Sequence, residues 1–168
     1  MEKQLGKFDA ANKKILISEE QNGMLIWLGN NEHVSKTAGQ VFYNTTAARL
    51  NSVAVLPHAA SQGSKLRLEM YRFDSAKKEW AEKLFETTEE IDSANCEEWL
   101  FFNMGKNQLE SNAWYGFKLI CMNGQVALAE GHHQHDEPKS MEWTAAKATD
   151  KGIFHSDFHL AYMVELAA

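Results

Sequence analysis

From Asp157 to Leu166 the chain alternates with period two. Phe158, Leu160, Tyr162, Val164 and Leu166 fall on one face, and Asp157, His159, Ala161, Met163 and Glu165 on the other. Successive strand side chains point to opposite faces, so this pattern predicts a strand with one face in a core. The same alternation sets Leu66, Leu68 and Met70 against Arg67, Glu69 and Tyr71. It also sets Tyr115, Phe117, Leu119 and Cys121 against Gly116, Lys118, Ile120 and Met122. Further strands are expected at 14–18, 23–28, 40–44, 50–56, 98–102 and 125–129, separated by turns rich in Asn, Gly, Asp and Ser. About ten short strands without long helical crossovers predict an all-β antiparallel sandwich or barrel.

The segment 75–85 (SAKKEWAEKLF) is rich in helix formers, and Trp80 and Leu84 would share a helical face. A turn at Asp74 and Ser75 followed by a strand over 82–88 accommodates the same residues, and the strand is the expectation adopted. With two prolines, ten glycines and no Ser/Gly linker, the 168 residues are read as one domain. Residues 1–34 are expected to supply strands that complete the sheets, and 35–168 the main sandwich.

Charge narrows the partners. There are 17 Lys and Arg against 23 Asp and Glu, a formal net charge of −6, with no local basic cluster, which argues against a nucleic-acid partner. The longest apolar run, Met24 to Leu28, is far short of the roughly 18 residues a membrane helix needs. The first residues, MEKQLGK, have no apolar stretch, so no signal peptide is expected in this chain. Cys96 and Cys121 are too few for a disulfide scaffold and are not spaced as zinc ligands. If 98–102 and 114–119 formed a hairpin, the two cysteines would lie opposite each other within bridging distance; otherwise they are separate thiols.

The segments GQVFY (39–43), RLNSVAVL (49–56), GSKLRLEMY (63–71), EWLFFN (98–103) and WYGFKL (114–119) follow one another in an order that resembles jelly-roll β-sandwich modules of the galactose-binding-like kind. The resemblance spans residues 37–119, with a final strand at 158–166. It implies a jelly-roll-like sandwich, a carbohydrate-binding or adhesive role, a glycan or surface ligand, and an extracellular or cell-surface location. The charged run 77–90 and the His-rich segment after Ala129 depart from the family pattern.

That segment, EGHHQHDE at 130–137, holds three of the seven histidines and three carboxylates. In extended chain His133 and His135 point the same way, and with Asp136 or Glu137 they suit zinc, nickel or copper. A solvated loop between Gly131 and Pro138 is the competing reading. The His-x-His spacing is similar to that of cupins, but Lys139 stands where that resemblance wants Glu. A metal-dependent, cupin-like enzyme is therefore the alternative function, with a transition metal as its cofactor and His133, His135 and Asp136 as ligands. No organic cofactor is expected.

For a sugar ligand, an exposed aromatic ring beside polar groups is the usual arrangement, because its apolar face stacks while neighbours bond the hydroxyls. Trp143, between Glu142 and the small polar stretch 144–150, is the expected exposed ring. Trp80, His133, His135 and Glu142 complete the expected contact set. Trp27, within Leu25 to Leu28, is expected in the core, as are Trp99 and Trp114 at strand starts. No Gly-x-Ser-x-Gly elbow, phosphate loop or basic cysteine environment occurs, so no catalytic residue is assigned. A structural or toxin-like sandwich acting through partner chains is a third reading.

Overall fold

The computed structural model describes residues 14–19, 23–30, 35–132 and 140–167. The strands, in chain order, are β1 (Lys14–Glu19), β2 (Met24–Asn30), β3 (Ser35–Asn44), β4 (Ala48–Val55), β5 (Pro57–Ala60), β6 (Ser64–Asp74) and β7 (Glu79–Ile91). They continue with β8 (Leu100–Leu109), β9 (Ala113–Asn123), β10 (Gln125–His132), β11 (Ser140–Ala145), β12 (Ile153–His155), β13 (Phe158–Leu160) and β14 (Tyr162–Ala167). One 3-10 turn, Ser93–Asn95, is the only helical element among the described residues. No helix there is long and apolar enough to cross a membrane.

Two antiparallel sheets pack as a sandwich. The smaller runs β1-β14-β4-β8, the larger β13-β10-β2-β3-β9-β6-β7, with β11 and β12 added beside β3 and β5 beside β10. The expected inward residues meet between the sheets, Leu66, Leu68, Met70, Tyr115, Phe117 and Leu119 from one side and Tyr162, Val164 and Leu166 from the other, where Leu50, Val53 and Phe102 join them, all fully buried or within 1% of it. The Tyr162 ring of the small sheet lies 6.4 Å from Phe42 and 6.0 Å from Phe117 of the large one. Each such side chain contributes about 1.5–3 kcal/mol by leaving water.

Residues 75–85 are turn and strand. The β6–β7 turn is held by the Lys77 amide donating to Asp74 Oδ1 at 3.0 Å, with Lys78 in the left-handed region (φ 53°). β7 then pairs with β6 from Glu79 to Ile91, and this ladder overrides the local helix propensity.

Two expectations need correction, and one open alternative is decided. The segment 158–166 is two strands: β13 pairs with β10 in the large sheet, the chain turns at Ala161, and β14 lies between β1 and β4 in the small one. Buried Gln40 stabilises that crossing, its Oε1 accepting from the Leu160 amide at 2.8 Å. The face expected to meet solvent is also covered, since His159 is 0%, Met163 2% and Glu165 6% exposed. Ala54, Trp99, Ala129, Ala161 and Met163 form a second apolar cluster there. Finally, β8 and β9 are not a hairpin: β8 pairs with β4, and β9 with β3 and β6. Cys96 and Cys121 are free thiols.

Candidate ligand-binding site

The site arises where β3 changes neighbours. At Ser35 and Lys36 it pairs with β2, and from Thr37 to Phe42 with β11. Between the diverging β2 and β11 lies a cleft of ≈ 530 Å³, lined by Leu25, Ile26, Trp27, Ser35, Lys36, Glu130, Glu142, Thr144, His155 and Phe158. That size lies within the range of small-molecule sites.

Alternation along β2 places Trp27 in the cleft. Ile26 (6% exposed) and Leu28 (0%) point into the core, which turns Leu25 (43%) and Trp27 (45%) outward. The polar wall comes from β11 and its neighbours. Glu142 and His155 are cross-strand partners, and Thr144 Oγ1 lies 2.9 Å from His155 Nε2. The Phe158 ring sits 5.9 Å from that of His155 and 4.7 Å from His132.

Glu142 is 2% exposed, hydrogen-bonded to Glu130, and its buried Oε1 has no hydrogen-bond partner among the described residues. Burial, then the hydrogen bond and like charge of Glu130, push its carboxyl up to about 9, against the opposing influence of Lys36. Two ionised carboxylates have no proton to share, so one proton lies between the pair at neutral pH. Glycosidases hold their two carboxyls roughly 5 Å or more apart; a pair in hydrogen-bond contact does not have that spacing.

Of the expected contact residues, Glu142 lines this cleft. His133, His135 and Asp136 lie outside the described residues, in the segment joining β10 to β11. The exposure expected of Trp143 is corrected: its ring is fully buried. The chain following β11 folds back over it, with Nε1 donating to the Lys151 carbonyl at 2.9 Å and Gly152 (φ +68°) pressed against the indole. Half-buried Trp80 packs edge-on to Trp143 at 5.5 Å. The Lys118 ammonium lies 4.9 to 5.3 Å from the rings of Tyr71, Trp143 and Trp80 and donates to the Ala148 carbonyl at 2.7 Å. The two tryptophans thus meet, but in a packed cluster whose rim, near Trp80 and Phe154, opens on a separate cleft of ≈ 440 Å³.

Sequence reasoning placed Trp27 and Phe158 in the core, weighed Glu130 and His155 only for metal binding, and did not single out Lys36 or Thr144. The available signal was in β2: a strand apolar on both faces has one face too many for a single core.

No family model matches this chain, and no curated protein is detectably similar to it in sequence. Its fold is similar to solved structures. One is the Clostridial cysteine protease Cwp84 after propeptide cleavage: TM-score 0.63, 12% identity, covering 92% of this chain and 40% of that one. Another holds the cysteine protease and lectin-like domains of Cwp84, a surface layer associated protein of Clostridium difficile: TM-score 0.55, 12% identity, covering 80% of this chain and 33% of that one. The chain therefore spans well under half of either neighbour. At this identity the likeness defines the class of fold, an all-β two-sheet sandwich.

Proposed function

We propose that this chain is a non-catalytic surface-binding module whose ligand is carbohydrate, held in the cleft between β2 and β11. The observation that carries the reading is Trp27: a ring left 45% exposed on the wall of a cleft whose other lining groups include Lys36, Glu130, Glu142, Thr144 and His155. A pyranose stacks its C–H face on such a ring while the polar groups take its hydroxyls. The jelly-roll resemblance of residues 37–119 and the lectin-like domain named for the second structural neighbour support the same ligand class. The surface layer association of that neighbour supports an extracellular or cell-surface location.

The cysteines fit a binding role better than a protease one. Burial, then the charges of Asp92 and Glu97, push the Cys96 thiol up, and burial pushes up Cys121, the opposite of what a nucleophilic thiolate needs. Screening the protein against a glycan array tests the proposal. A set of hits sharing one sugar epitope is expected, and silence across plant, bacterial and animal glycans overturns it.

A further inference from the structure

The polar wall of the cleft indicates which sugars suit it, an inference that rests on the carbohydrate reading. Glu142 is all but inaccessible, shares one proton with Glu130, and keeps Oε1 without a hydrogen-bond partner among the described residues. Lys36 on β3, Glu130 on β10 and His155 on β12 are the charged or titratable groups facing it from the strands around the cleft. Lys36 favours the ionised form, yet its charge does not offset burial and Glu130. The site thus holds two acids, too little positive charge to ionise both, and an acceptor atom awaiting a donor.

Ligand chemistries differ in how they meet that deficit. A carboxylate or phosphate adds negative charge beside a pair that already carries one. A hydroxyl gives one donor and no charge, and an acetamido group gives one N–H beside a bulky acyl. A protonated amine brings a full positive charge and three donors, enough for both carboxylates, and gains further from an aromatic face nearby such as Trp27. We propose that the cleft selects a sugar bearing an unacylated amino group, whose ammonium sits between Glu130 and Glu142. No covalent bond changes; one proton leaves for solvent when the ammonium enters.

Titration calorimetry on the intact chain tests this with three probes that differ only at C2: methyl β-D-glucosaminide, its N-acetyl derivative and methyl β-D-glucoside. At about pH 6.5 a sugar amine is protonated. The amino glycoside is expected to bind at least about tenfold more tightly than the others. Its heat should vary between buffers of different ionisation enthalpy as one released proton requires. In Glu142→Gln, with Glu130→Gln as a second variant should the first not fold, the preference for the amino glycoside over the neutral glucoside should fall to about twofold or less and the proton release vanish. Equal binding of all three without proton release overturns the amine proposal and leaves the carbohydrate reading standing. Binding of none, by a protein that scores on the glycan array, also overturns it, whereas silence on the array is the failure of the underlying reading.

Discussion

The carboxyl groups of Glu130 on β10 and Glu142 on β11 are hydrogen-bonded to each other at the cleft between β2 and β11. Their shared proton ties stability to pH. In the unfolded chain Glu142 loses its proton near 4.5, whereas in the folded protein it holds it to about 9. Between those values the folded state binds more protons than the unfolded one, so this contribution is greatest in acid and is lost as pH rises. The slope is at most about 1.4 kcal/mol per pH unit. Urea unfolding of wild type and Glu142→Gln from pH 5 to 9 checks the sign: the gap between the two should move steadily against the wild type as pH rises. A gap independent of pH contradicts the shared proton.

Gly152 holds the cover over Trp143. An added Cβ there would lie 2.5 Å from both the Thr144 carbonyl oxygen and Trp143 Nε1, at a φ of +68°. Gly152→Ala is therefore expected to cost about 1–3 kcal/mol through backbone strain and overpacking. Tryptophan emission should shift to the red as the indole gains water. An unshifted spectrum with unchanged stability contradicts the packing described for that loop.

Much of the fold was legible because alternation reports burial directly. Leu66, Leu68 and Met70, and Tyr115, Phe117 and Leu119, face the core as their spacing predicts. Alternation does not report burial where both faces are covered. Met163 alternates correctly with Val164 but belongs to a second apolar cluster, and His159, on β13 of the other sheet, is fully buried as well; no local pattern reports a distant cover. Trp143 reads as exposed for the converse reason, because a polar stretch, 144–151, folds back over it. Glu142 was legible as a polar group beside an aromatic residue. Glu130, twelve residues earlier, becomes its partner only through the topology of β10 and β11.

The crossing from β13 to β14 makes Leu160 costly to replace. Leu160→Asp puts an unpaired carboxylate into a fully buried position and should cost several kcal/mol, enough to threaten a domain with about 5–15 kcal/mol in hand. His159→Ala, harmless for a solvent-facing residue, should itself cost about 1–3 kcal/mol, because His159 is fully buried with Nδ1 2.8 Å from the Leu160 carbonyl oxygen. Chemical denaturation of both variants measures this, and a His159→Ala protein as stable as wild type contradicts the double-sided burial.

Thiol chemistry reports the placement of β8 and β9 in opposite sheets. Under denaturing, non-reducing conditions both Cys96 and Cys121 should titrate as free thiols. In the native protein the half-buried Cys96 should be alkylated well before Cys121, which is buried and bonded to the Asn123 and Gly124 carbonyl oxygens at 3.3 and 3.2 Å. An intramolecular disulfide contradicts the strand order.

Trp27 is the ring proposed to meet the ligand, and replacing it tests the binding site most directly. Affinity for the strongest glycan on the array is to be compared between wild type and Trp27→Ala, with thermal unfolding of both. Because the ring is 45% exposed, the substitution should leave stability within about 1 kcal/mol while weakening binding at least about tenfold. A Trp27→Ala protein that binds its glycan as tightly as wild type contradicts the claim that this cleft is the binding site.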